Sequence, residues 1–144
     1  MTEKYRLRWW PNLTEGTFRE SSKYDARYNC IALAAGNNKK WWEPLGYWPF
    51  DNSENSVEGW ARAFETLGYQ RCGLDHSLDE LYEKVAIYAT PNGEATHMAR
   101  QLSDGRWLSK LGRNVDIEHI NLDVLNNRLN YGQTVLILRR RKKN

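Results

Sequence analysis

Cys30 is the residue whose position most clearly predicts chemistry. It stands where an irregular polar stretch ends and a short apolar run, residues 31–35, begins before Gly36. This pattern predicts a short helix over residues 30–35 with the thiol in its first turn. Unpaired backbone amides there are expected to lower the pKa of the thiol, which makes Cys30 a candidate nucleophile. The alternative is a buried structural cysteine, because a free thiol also packs well in a core.

A nucleophilic thiol needs a base within hydrogen-bond reach, and histidine is the usual one. His97 begins a predicted strand over residues 96–102, where its side chain can point into a cleft. It is therefore the candidate general base, and the alternative is a histidine that caps the edge of a sheet. His119 is expected at or just before a helix as a structural or surface residue. His76 lies in a loop and is the weakest candidate.

The base also needs a partner that orients its ring. The tight turn predicted at residues 103–105 sets the register of a hairpin and places His97 opposite residues 109–111. Ser109 is therefore the geometric candidate for this partner. Asp116 is the charged alternative, provided that the chain folds back after Gly112.

An acyl-transfer site also needs hydrogen-bond donors for the developing oxyanion. The backbone amide of Cys30 is one candidate donor. Asn29 and Tyr24 are candidates for the second donor and for substrate binding, since both precede the thiol closely in the sequence.

A long loop over residues 37–54 is rich in tryptophan, asparagine and proline. Loops of this length in compact domains are usually functional or held by their own side chains. The loop predicts a ligand groove lined by three aromatic side chains, those of Trp41, Trp42 and Trp48. The alternative is that these rings pack inside a core.

The surrounding pattern predicts an α+β fold, with helices first and a mostly antiparallel sheet of about four strands afterwards. A capping box with Asn55 at the N-cap and Glu58 at N3 begins an amphipathic helix that Gly68 ends. Short helical segments are expected over residues 78–83 and 122–129. Strands are expected over residues 84–89, 96–102, 106–111 and 133–139. Residues 1–24 are expected to be irregular, with at most a short strand.

Charge is unevenly distributed along the 144 residues. The net charge is +3, but five basic residues lie within residues 139–144, and the rest of the chain has a slight excess of acid. We therefore expect one domain over residues 1–138 and a solvated basic tail over residues 139–144. Contact with nucleic acid through this tail is a weaker alternative.

Several classes of protein are disfavoured by the sequence. No apolar segment approaches the length of a membrane span, and the first residues lack the apolar core of a signal peptide, so we expect a cytoplasmic monomer that does not enter membranes. The two cysteines form no zinc-ligand spacing, and no phosphate-binding glycine motif is present. We therefore expect neither metal nor cofactor.

The order of Cys30 on a helix followed by His97 on a strand resembles the layout of papain-like and NlpC/P60-like thiol hydrolases. This resemblance implies a nucleophile helix packed on an antiparallel sheet, with a third polar residue on a neighbouring strand. It implies hydrolysis of an amide or thioester bond in a peptide or cell-wall fragment. The alternative is a non-catalytic module with a tryptophan-rich surface that binds a ligand or a protein.

A second resemblance covers most of the chain. Five segments look like those of a family of small uncharacterised bacterial proteins: Tyr28–Ala32, Trp41–Pro44, Phe64–Tyr69, Thr96–Gly112 and Asp116–His119. This resemblance supports the importance of these segments and implies no particular reaction.

Overall fold

Within residues 1–52 and 54–143, seven strands form one antiparallel sheet, in which the first, sixth, fifth, fourth, third, seventh and second strands of the chain are successive neighbours. The computed structural model describes residues 1–52 and 54–143. Within them the helices are α1 (Glu3–Trp9), α2 (Cys30–Ala34) and α3 (Val57–Glu65). The strands are β1 (Phe18–Glu20), β2 (Gln70–Arg71), β3 (Tyr82–Ala89), β4 (Ala95–Gln101), β5 (Trp107–Lys110), β6 (Asp116–His119) and β7 (Gln133–Arg141). Residue 53 of the predicted loop and residue 144 of the predicted tail lie outside the described residues.

The sheet separates two hydrophobic clusters because successive side chains of a strand point to opposite faces. On β3, Ala86 and Tyr88 belong to the first cluster, whereas Val85 and Ile87 belong to the second. The N-terminal segment and residues 122–131 cover the first face. Helices α2 and α3 cover the second face, which confirms the predicted α+β class.

Two helix starts show how local sequence sets these elements. The side chain of Asn29 caps α2 by accepting a hydrogen bond from the amide of Ala32 at 3.2 Å. Helix α3 is capped by Ser56, whose hydroxyl accepts from the amide of Gly59 at 3.0 Å. The prediction of Asn55 at this cap was wrong by one residue, because Asn55 accepts instead from the indole N–H of Trp60 at 3.2 Å.

The sheet is larger than the four strands predicted from the sequence. Strands β1 and β2 span only three and two residues, which is too short for a visible alternating pattern. A helix forms at Glu3–Trp9, where irregular structure was expected, because Thr2 caps its first turn. No helix forms over residues 78–83. The segment predicted as a helix over residues 122–129 contains a single 3-10 turn, Asp123–Leu125.

The predicted basic tail is part of the sheet as far as Arg141, since β7 pairs with β3 up to the contact of Arg141 with Tyr82. The guanidinium of Arg140 is 2.5 Å from a carboxylate oxygen of Glu83 and donates to the carbonyl of Leu67 at 2.7 Å. Much of the charge that the sequence assigns to a solvated tail therefore lies on an ordered strand. No helix of the described residues is long and apolar enough to cross a membrane.

Gly132 is the glycine whose replacement by another residue would disturb the fold most. Its φ is +73°, and a Cβ built there would overlap the carbonyl oxygen of Ala89. We expect Gly132→Ala to lower the free energy of unfolding by about 3 kcal/mol, through strain and overlap together. Gly93→Ala is the matched control: its φ is +86°, but no atom of the described residues lies within 4 Å of a Cβ built there, so about 1 kcal/mol is expected. Urea denaturation measures both, and equal losses would contradict the overlap.

Candidate active site

Cys30 begins α2 and is half-buried at the wall of a cleft of about 300 Å³. Asn29 fixes this end of the helix to the tryptophan-rich loop. Its side-chain oxygen accepts from the amide of Trp42 at 3.2 Å, and its amide donates to the carbonyl of Trp42 at 2.6 Å. The loop is therefore held directly beside the thiol.

The electrostatics of Cys30 differ from those predicted. Burial raises the pKa of its thiol to about 11, although the backbone N–H of Met98 acts in the opposite direction. The predicted depression of this pKa was wrong because α2 has only five residues and its amides do not compensate for the loss of water. Cys30 is therefore a neutral thiol at pH 7, in contact with the strand that carries His97.

The ring of His97 is fully buried and held between two tyrosines. Tyr131 stacks on it with ring centres 4.1 Å apart and planes 9° apart, and Tyr88 meets it edge-on at 5.2 Å. Burial lowers the pKa of His97 well below its usual range, so the ring is neutral. Tyr131 also lines the cleft beside Cys30, as does Thr96, the residue before His97.

Three neighbouring strands, β4, β5 and β6, carry a chain of hydrogen bonds that starts at His97. Its Nε2 lies 2.9 Å from the hydroxyl of Ser109, which is one of the residues 109–111 that the hairpin prediction placed near His97. That hydroxyl lies 2.8 Å from Nε2 of His119, and Nδ1 of His119 lies 2.8 Å from the carbonyl oxygen of Asn121. Ser109 and His119 are both fully buried.

His119 was expected at or just before a helix as a structural or surface residue. It ends a strand that was not predicted, β6, ahead of the 3-10 turn Asp123–Leu125, and its full burial excludes the surface alternative. The signal that could have found it is the alternation of residues 116–119, which puts Ile117 and His119 on one face of a strand. Burial lowers the pKa of His119 to about 4, although the hydrogen bond with the carbonyl of Asn121 acts in the opposite direction.

Nδ1 of His97 is buried without a hydrogen-bond partner among residues 1–52 and 54–143. In the same part of the chain, no hydrogen bond joins the thiol of Cys30 to the ring of His97. Cys30 packs against the second cluster, whereas the tyrosines that flank the ring of His97 belong to the first. Tyr131 is the shared neighbour, since it stacks on His97 and lines the cleft with Cys30, and His97 itself does not line that cleft.

Asp116 is not the partner of His97. Its carboxylate accepts a hydrogen bond from the hydroxyl of Tyr28 at 2.7 Å, and its backbone amide donates to Ser22 at 2.8 Å. Burial raises its pKa, whereas Tyr28 and the ammonium group of Lys110 act in the opposite direction. Asp116 therefore anchors the segment before α2, and the orienting contact belongs to Ser109.

The predicted substrate-binding residues divide into two groups. Trp41 and Trp42 line the cleft beside Cys30, together with Glu43. The other side chains are used elsewhere or lie away from the thiol. Trp48 packs on Phe50 with ring centres 5.0 Å apart, and Tyr24 is 65% exposed near the N-terminus.

Asn29 is no longer a candidate oxyanion donor in this conformation, because its side-chain amide already donates to the carbonyl of Trp42. The described residues contain no group of three or more histidine, cysteine, aspartate or glutamate side chains placed to hold a metal ion.

Comparison with known families decides where this chain belongs. The profile of a family described as a domain of unknown function, DUF7689, matches residues 19–139. The chain belongs to this family. The matched residues include Cys30 and the three hydrogen-bonded residues His97, Ser109 and His119. No curated protein and no solved structure gives a significant match.

Proposed function

We propose that this DUF7689 protein is a cysteine hydrolase that cleaves an amide or thioester bond, with Cys30 as nucleophile and His97 as general base. The observation that carries the proposal is the state of the His97 ring. It is buried, its Nε2 is occupied by Ser109, and its Nδ1 has no partner within the described residues. This unpartnered nitrogen is carried by a strand that also contacts a half-buried thiol, and the proposal requires the two to come within hydrogen-bond reach when substrate binds.

The proposed reaction uses the side chains of Cys30 and His97 and one molecule of water. The proton of the Cys30 thiol passes to Nδ1 of His97 as the sulfur forms a bond to the substrate carbonyl carbon. Collapse of the tetrahedral intermediate breaks the carbon–nitrogen or carbon–sulfur bond, and His97 returns the proton to the leaving group. Water then attacks the acylated cysteine with His97 again taking a proton, which releases the acid and restores the thiol.

The shifted pKa values describe the resting state of this pair. Burial disfavours a separate thiolate and a separate imidazolium, so both groups rest neutral. Proton transfer from Cys30 to His97 creates both charges together and leaves the net charge of the site unchanged. The amide of Met98 supports the thiolate, and the stacked ring of Tyr131 supports the imidazolium.

A papain-like or NlpC/P60-like arrangement is part of this proposal. It is supported by a short helix that starts at Cys30 and packs on strands β4 and β5, and by His97 near the start of β4. The cleft lined by Trp41 and Trp42 is then the substrate groove. Bacterial origin, a cytoplasmic location and a monomeric state stay predictions from the sequence.

Acylation of Cys30 tests the proposal. We expect the thioester phenyl thioacetate to leave an acetyl group on the peptide that contains Cys30, when the reaction is stopped in acid and analysed by mass spectrometry. Cys72→Ala is the matched background, since Cys72 is also a half-buried free thiol. Acetylation of the wild type confined to Cys72, or none in Cys72→Ala under conditions that acetylate free cysteine, would contradict the proposed function.

A binding module is the second candidate function, and one observation favours it. The thiol of Cys30 has a raised pKa and makes no hydrogen bond to His97 in the described residues, as expected of a cysteine used for packing. The cleft would then hold a ligand between Trp41 and Trp42 without chemistry. In that case Cys30→Ala would weaken the fold, and Trp41→Ala would weaken binding.

A further inference from the structure

His119 and His97 both contact the hydroxyl of Ser109. The hydrogen bond at the far end of this series, between His119 and the carbonyl of Asn121, determines which atom donates in each of the others. The carbonyl oxygen of Asn121 can only accept, so Nδ1 of His119, 2.8 Å away, carries the hydrogen. A neutral imidazole has one N–H, which leaves Nε2 of His119 as an acceptor. Its only described partner is the hydroxyl of Ser109 at 2.8 Å.

The tautomer of His119 also fixes the tautomer of His97. Ser109 has a single hydroxyl hydrogen, and that hydrogen is donated to His119. The oxygen of Ser109 can therefore only accept from Nε2 of His97 at 2.9 Å. His97 then carries its hydrogen on Nε2, and Nδ1 keeps a free lone pair. This tautomer matches the unpartnered Nδ1 found in the described residues.

We infer that His119 is a positioning residue that acts through Ser109 to hold the proton of His97 on Nε2 and keep Nδ1 available as a base. The inference rests on the proposed function in one respect, that Nδ1 is the atom that takes the proton of Cys30. Neither Ser109 nor His119 lines the cleft, so neither is expected to touch substrate.

Burial makes the effect of His119 on the tautomer of His97 strong. His97, Ser109 and His119 are all 0% exposed, so bulk water does not offer the hydroxyl of Ser109 an alternative acceptor. Without the acceptor on residue 119, the hydroxyl would turn and donate to Nε2 of His97. The hydrogen of His97 would then move to Nδ1, where it blocks proton transfer from Cys30. In a serine hydrolase triad, the wrong histidine tautomer costs about 10⁴ in rate.

Nitrogen NMR of the full chain labelled with ¹⁵N-histidine tests the inference without any substrate. At pH 7 we expect long-range ¹H–¹⁵N spectra to show a protonated Nε2 and an unprotonated Nδ1 for His97, with the reverse for His119. His119→Phe should move the hydrogen of His97 to Nδ1, whereas His119→Gln, whose side-chain oxygen can accept from Ser109, should preserve the wild-type pattern. If His119→Phe does not fold, Ser109→Ala replaces it and should give His97 a mixture of both tautomers.

Acetylation of Cys30 by phenyl thioacetate provides the second measurement. We expect a loss of about 100-fold or more in His119→Phe and recovery to within about tenfold of wild type in His119→Gln. An Nδ1-protonated His97 in the wild type, or an unchanged tautomer in both His119→Phe and Ser109→Ala, would overturn the inference. The expected tautomers together with an unreactive Cys30 would leave the role of His119 standing and contradict the proposed function instead.

Discussion

Cys30→Ala will lower the rate of phenyl thioacetate hydrolysis by at least about a thousandfold, because the variant has no atom that can form the acyl-enzyme. The fold should change little, since the substitution removes one sulfur atom from a half-buried position at the cleft wall. We expect a loss of about 1 kcal/mol or less in the free energy of unfolding. Initial rates and thermal unfolding of the same preparation measure both quantities.

Cys72→Ala is the control for this experiment. Cys72 is a half-buried free cysteine whose thiol contacts the carbonyl of Ile137 at 3.4 Å, away from the cleft. Its removal should leave the rate within about twofold of wild type, whatever it does to stability. A folded Cys30→Ala protein that keeps the wild-type rate would show that the thiol is not the nucleophile. A Cys30→Ala protein that unfolds would favour the packing role of the binding module.

Acidification from pH 7 to pH 4 will lower the free energy of unfolding by about 3 kcal/mol through His119 alone. Its pKa falls from 6.5 to about 4 on folding, because burial disfavours the charged ring, and each pKa unit corresponds to about 1.4 kcal/mol. The unfolded chain therefore binds a proton below pH 6.5 that the folded chain does not. The loss begins near pH 6.5 and levels off near pH 4. His97, whose pKa is also lowered by burial, adds to it.

Urea denaturation at half-unit steps of pH measures how the free energy of unfolding changes with pH. Comparison of the wild type with a His119 variant shows how much of that change comes from His119. His119→Gln should flatten the curve between pH 6.5 and 4, since it removes the buried ring that is protonated only in the unfolded chain. Asp116 acts in the opposite direction, because burial raises its pKa and acid therefore stabilises the fold through this group. The difference in slope between the wild type and His119→Gln is thus more informative than the slope of the wild type alone. An equally steep slope in His119→Gln would contradict the burial of a neutral ring at this position.

Much of the fold was predictable because some elements are long and regularly patterned. Helix α3 and strands β3, β4, β5 and β7 all overlap the segments predicted from the sequence. The hairpin predicted around residues 103–105 limited the geometric partner of His97 to residues 109–111, and of these Ser109 makes the hydrogen bond with the ring. These are local relations that a single segment of sequence contains.

The parts that were missed depend on contacts between distant segments. Tyr131 stacks on His97 from 34 positions away, and no local pattern indicates that contact. The pKa of Cys30 depends on how deeply the thiol is buried against β4, whereas the sequence shows only its place at a helix start. The strand that ends at His119 was missed because β6 has only four residues, of which one, Ile117, is apolar. Its strand conformation depends on pairing with β5 and β1, which are distant or separate segments.

Proton transfer from Cys30 to His97 is the central claim of the proposed function, and alkylation of Cys30 by iodoacetamide at pH 7 tests it most directly. In a Cys72→Ala background, His97→Gln should lower the labelling rate by at least about tenfold, because the thiol then loses the base that takes its proton. Both proteins should label faster as the pH rises towards the thiol pKa of about 11. Equal labelling rates at pH 7 in two folded proteins would show that His97 does not act on Cys30 and would contradict the account.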